Sequence, residues 1–164
     1  MNKHKNKISI ILSWTAVLLW LVIIFSFSAQ PATESDGLSK KVTKVIIETV
    51  DKVVQIDNDK KSTIDLIQKF DHIIRKCAHF TVYIVLGLLM MNALMRSGVK
   101  LFNAFLLAIV FCIAYATSDE IHQLFVPGRG PRATDVLIDS AGAFVGSGVY
   151  TLIYPRGVKF SKRK

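Results

Sequence analysis

Apolar residues in this chain are gathered into four blocks, not spaced for one face of a soluble fold. Residues 8–27 form a charge-free run of 20, preceded by the basic stretch KHKNK. A helix of that length crosses the hydrocarbon core of a bilayer. SFSAQ offers small residues for signal cleavage, but the run is long for a signal peptide and further apolar blocks follow, so a retained helix is expected. Three more spanning helices are predicted over 73–95, 101–117 and 136–154.

The stretch between the first two blocks has a different pattern. QPATESDG has turn and cap character. Beyond it Leu38, Val42, Val45, Ile46, Thr49 and Val53 recur at helical spacing among charged residues, and after a break at DNDKK so do Ile64, Ile67 and Phe70. That predicts an amphipathic, extracytoplasmic helical segment over 38–72, lying in the membrane interface. The expected architecture is an all-α polytopic membrane protein, one domain over 1–164, with four transmembrane helices and this insertion between the first two.

Charge supports that reading. The formal net charge is +9, which on a soluble surface would suggest nucleic acid. Lys3, Lys5, Lys7, Arg96, Lys100, Arg156, Lys159, Lys162, Arg163 and Lys164 carry the whole excess, in the N-terminal stretch, one short loop and the C-terminal stretch. The other eleven basic residues are balanced by twelve acidic ones. Positive loops favour the cytoplasmic side, so both termini are expected there, in a multi-pass protein of the cell membrane that binds no nucleic acid. Cys77 and Cys112 have no metal spacing and read as small hydrophobes.

Polar residues inside apolar blocks carry the candidate chemistry. The stretch 118–139, SDEIHQLFVPGRGPRATDVLID, holds Asp119, Glu120, His122, Gln123, Arg129, Arg132, Asp135 and Asp139. Ionisable groups at the edge of hydrocarbon are costly and mark functional sites by default. On the second helix Lys76, His79 and Tyr83 fall at i, i+3 and i+7 and share a face. Four helices with both termini inside bring these two clusters to one outer face.

Arginine forks and a lysine suit phosphate, so Lys76, Arg129 and Arg132 are candidates to hold a lipid headgroup, with His122 and Asp119 beside them. His79 and Glu120 suit proton transfer, and Gln123 and Asp135 complete the catalytic candidates. The carboxylates, Asp135 and Asp139 above all, can alternatively gather Mg²⁺ or Ca²⁺. A third reading is a salt-bridge network closing the bundle. HExxH, GxSxG and P-loop signatures are absent from the chain. Gly142 and Gly146 form a small-residue stripe that permits close helix packing.

RKCAHFTVYIVLG, SDEIHQLFVPGR and TDVLIDSAGAFVG, with the opening helix and FSFSAQPATES, resemble the VanZ-like family of bacterial membrane proteins over nearly the whole chain. The resemblance puts the family's polar positions on Lys76, His79, Glu120, Gln123, Arg129 and Asp135, and its glycine stripe on Gly142 and Gly146. Asp139 stands where relatives commonly have asparagine. The family's namesake is associated with resistance to the glycopeptide teicoplanin. Wider similarity to enzymes that exchange or sever phosphate-containing lipid headgroups implies membrane lipids as partners and substrates. The alternative is a non-catalytic envelope protein that binds a lipid, a glycopeptide or a partner protein.

Overall fold

The computed structural model describes residues 2–31 and 60–153, with side chains for 6–31, 70 and 73–153. Four helices make up these residues: α1 (Asn2–Ser28), α2 (Lys60–Arg96), α3 (Leu101–Gln123) and α4 (Ala133–Ile153), with no strand among them. Each contains a segment long and apolar enough to cross a membrane: Asn6–Ser28, Ile73–Arg96, Leu101–Gln123 and Ala133–Ile153. The chain is a multi-pass, all-helical membrane protein.

Its burial pattern is inverted relative to a soluble domain. In the last turns of α3, Asp119, Glu120 and Gln123 are buried, while Ile121 and, just past the helix, Leu124 and Phe125 are exposed. On α4, Asp135, Asp139 and Ser147 are buried, while Leu137, Phe144 and Leu152 are exposed. Hydrocarbon tolerates the outward apolar side chains, and polar groups must find partners inside.

Three boundaries differ from those expected. The third helix does not stop at 117 but runs on to Gln123, so SDEIHQ is helix and not loop. Continuing the helix keeps backbone groups hydrogen-bonded at membrane depth and turns Asp119, Glu120 and Gln123 inward. The fourth helix begins at Ala133 instead of 136, its first turn closed by the Asp135 N–H donating to the Arg132 carbonyl at 2.8 Å. Residues 60–72, expected in a separate amphipathic segment, are the unbroken N-terminal part of the 37-residue α2. At 1.5 Å per residue they carry α2 about 20 Å beyond its spanning segment. The remainder of the expected insertion, 38–59, lies outside the described residues.

The α2–α4 pair is the most extensive helix contact. A Cβ on Gly142 would lie 2.3 Å from the Phe80 carbonyl oxygen, and one on Gly146 would lie 2.1 Å from that of Ile84. From the other side, a Cβ on Gly87 would meet the Ala143 carbonyl oxygen at 2.5 Å. The glycine stripe thus packs α4 against α2 of the same chain, backbone to backbone. Pairings advance together along both helices, so the two run parallel, and their close register presents Lys76 and His79 to Asp135 and Asp139.

The other helices are tied by aromatic donors reaching helix carbonyls. Trp20 Nε1 donates to Val82 O at 3.0 Å, joining α1 to α2. The Tyr115 hydroxyl donates to Leu21 O at 2.7 Å, joining α3 to α1. Between them lies an apolar core that includes Val17, Leu86, Met90, Met91, Ala104, Ala108 and Cys112. α2 ends in a tight turn in which Gly98 takes a φ of 86° and Val99 N–H closes on Leu94 O at 3.1 Å. That left-handed position suits glycine, which has no Cβ to strain.

Candidate functional site

Both polar clusters converge at one end of the bundle, built from the C-termini of α1 and α3, the start of the α2 span and the start of α4. Lys76 Nζ forms an ion pair with Asp135 Oδ1, and Thr134 Oγ1 also approaches that oxygen at 3.3 Å. One turn deeper, His79 Nδ1 lies 3.3 Å from Asp139 Oδ1. The Asp139 side chain is 1 % exposed and that of His79 is 23 % exposed, so the imidazole bridges a sealed carboxylate and the accessible rim.

The α3 residues complete the cluster. Gln123 Nε2 donates to Ser28 Oγ at 3.1 Å and more weakly to Asp119 Oδ2 at 3.4 Å, anchoring α3 to the end of α1. Glu120 Oε2 accepts the Arg132 backbone N–H at 2.7 Å, which folds the α3–α4 loop back over the site. Glu120, Asp139 and the Arg132 guanidinium lie within electrostatic range of Lys76. Four buried carboxylates, Asp119, Glu120, Asp135 and Asp139, therefore share one end of the bundle with Lys76, His79 and Arg132.

The remaining candidates sit toward its edge. Arg129 Nη2 reaches Phe27 O at 3.5 Å and so belongs to the α1 side. The His122 ring packs against Phe25 at 4.7 Å between centroids. Asp119 is buried beneath the rim rather than presented on it. Asp135 and Asp139 face different partners on α2, and no group of three or more His, Cys, Asp or Glu side chains among the described residues is arranged to hold a metal ion.

Asp139, a metal candidate by its spacing from Asp135, stands instead against His79. The signal for that pairing was present. Lys76 and His79 are separated by about one turn, as are Asp135 and Asp139, and parallel helices match such pairs in order. Tyr83, on the same face of α2 as Lys76 and His79, is 1 % exposed, and Asp139, Asp119 and Tyr115 lie within electrostatic range of its hydroxyl. Ser28, the partner of Gln123, lies in SFSAQ and carried no recognisable motif.

No curated protein and no solved structure matches the chain. The model of one family does, over residues 13–154, a span that contains every side chain of the site described above. With four apolar helices and this polar end, the chain belongs to the VanZ/LLP1 family.

Proposed function

We propose that this protein acts on phosphate-containing lipid headgroups, exchanging or cleaving a phospholipid or polyprenyl-phosphate ester at the outer face of the bacterial cell membrane. The observation that carries the reading is the His79–Asp139 contact at 3.3 Å, in which a sealed carboxylate faces Nδ1 of a partly accessible imidazole. Such a carboxylate favours the proton on Nδ1, leaves Nε2 as a base, and stabilises the imidazolium formed when Nε2 takes a proton.

In this reading an alcohol or water oxygen attacks phosphorus as its proton passes to His79 Nε2. The ester bond to the leaving oxygen breaks, and that oxygen receives the proton back. Lys76 and Arg132, with Arg129 at the α1 edge, hold the phosphate and offset developing charge. Asp135 positions the Lys76 ammonium, Glu120 pins the loop that carries Arg132, and Gln123 fixes the end of α3. The outer location is supported by Lys7, Arg96 and Lys100, which lie toward the opposite end of the bundle, where the positive-inside tendency puts the cytoplasm. A link to glycopeptide resistance follows where an altered headgroup changes drug access to the cell surface.

Comparative lipid mass spectrometry of cells carrying empty vector, wild type or His79→Ala at equal membrane levels tests this. A headgroup change with wild type alone is expected. Identical profiles in a host that contains the lipid would favour the second reading, a non-catalytic binding protein. That reading draws on the pairing of Lys76 with Asp135 and of the Arg132 amide with Glu120 Oε2.

A further inference from the structure

Beside the His79–Asp139 pair, α2 and α3 place two more buried polar side chains, Tyr83 and Asp119, that the proposed chemistry does not use. The Tyr83 hydroxyl and Asp119 Oδ1 are buried with no hydrogen-bond partner among the described residues. Asp139 Oδ1 is also without one, its 3.3 Å contact with His79 lacking hydrogen-bond alignment. Tyr83 is 1 % exposed and Asp119 6 % exposed. Among charged groups, Asp139 and then Asp119 bear most strongly on the Tyr83 hydroxyl. Asp119 is faced by Ser28 of α1, His79 and Tyr83 of α2, its neighbours Glu120, Gln123 and Tyr115 of α3, and Asp139 of α4. Its hydrogen bonds come from neutral groups, Gln123 and Ser28.

Leaving several buried oxygens without partners is costly, and burying a carboxylate against neutral groups more so. Asp135 is paired with Lys76, and Glu120 accepts the Arg132 amide within electrostatic range of Lys76. Asp119 and Asp139 face no fixed cation among the described residues while His79 is a neutral base, so this pair carries charge that a bound cation would offset. Magnesium held by one or two carboxylates keeps several waters, and calcium takes about six to eight oxygens, whereas the Asp119, Asp139 and Tyr83 oxygens named here are sealed from solvent. We propose that Asp119, Asp139 and Tyr83 bind one small monovalent cation, a proton or Na⁺, inside the bundle. Because Asp139 also faces His79, filling this site changes the charge felt by the imidazole. The site shares Asp139 with the proposed headgroup chemistry, but cation binding does not require that chemistry.

The test uses the full chain, purified into lipid nanodiscs, with thermal stability as the readout. In one arm NaCl replaces choline chloride at fixed pH and ionic strength; in the other, pH is varied in choline chloride alone. A ligand bound only by the folded state raises Tm with its concentration. Wild type is expected to gain several degrees either with rising Na⁺ or with falling pH, and the arm that responds names the cation. Asp119→Asn keeps the shape, removes the charge and should lose that gain; Tyr83→Phe should lose at least half of it. If Asp119→Asn is not recovered folded, Tyr83→Phe decides alone. A wild type indifferent to both arms overturns the proposal, as does an undiminished response in the folded variants.

Discussion

The two ends of the bundle solve the same problem in opposite ways. At the end away from the site, Trp14 Nε1 donates to Ser97 Oγ at 3.0 Å and Asn92 Nδ2 to Ser13 Oγ at 3.3 Å. Arg96 donates to Ser9 and, at 2.9 Å, to Asn92 Oδ1. This network contains no acid, and among the described residues none of its buried side-chain atoms lacks a partner. At the site end, Tyr83, Asp119, Glu120, His122 and Asp139 each retain a buried atom without a hydrogen bond among those residues. The first end is a closed joint between α1 and α2. The second keeps polar capacity in reserve, at an energetic cost that closing the bundle does not require.

The largest break in this comparison should come from Asp139→Asn. It is nearly isosteric but removes the charge facing His79. Turnover of the headgroup substrate is expected to fall by roughly 10²–10⁴-fold, the usual worth of a positioned acid–base group. Circular dichroism and detergent-extracted yield should stay near wild type.

Gly146→Leu attacks the register that both ends share. Its Cβ would lie 2.1 Å from the Ile84 carbonyl oxygen, so the α2 and α4 backbones must separate. Stability should fall by about 1–3 kcal/mol or more, as for overpacked cores, and be read as a lower midpoint in thermal denaturation. Activity should fall with it, because Lys76 and His79 no longer meet Asp135 and Asp139.

A smaller effect is expected from Gln123→Leu, which removes the tie between α3 and Ser28 and strips Asp119 of a donor. A loss of about 1–3 kcal/mol follows from leaving buried acceptors unsatisfied, measurable in the same melts. Ser97→Ala should do least. It breaks one interhelical bond, worth about 0.6 kcal/mol in membrane bundles, and should leave turnover unchanged.

Much of the fold could be read from the chain because hydrocarbon imposes a coarse rule. Apolar blocks of spanning length must be helices, and loop charge orders them. The end of α3 escaped that rule. Asp119, Glu120 and Gln123 look like loop residues to hydropathy, yet burial against Ser28, Arg132 and Lys76 keeps them helical. The convergence of Lys76 and His79 with 118–139 followed from topology, whereas the assignment of partners did not. Which carboxylate faces which cation depends on α2 and α4 touching along Gly142 and Gly146, a contact that a stripe of small residues permits but does not specify. The network of Ser9, Ser13, Asn92 and Ser97 went unrecognised for a related reason: isolated hydroxyls and amides in apolar runs reveal no partner until two helices are in register.

The central claim is that the reserve at the site end is chemical and the closed joint at the other end is structural. The most direct measurement is ³¹P NMR of lipid vesicles of bacterial composition containing the purified protein. Wild type, Asp139→Asn and Ser97→Ala would be followed over time at equal folded amounts. The account predicts new phosphorus resonances with wild type and Ser97→Ala, and a spectrum that does not change with Asp139→Asn. Equal turnover by all three, or none from wild type with its cognate lipid present, would contradict it.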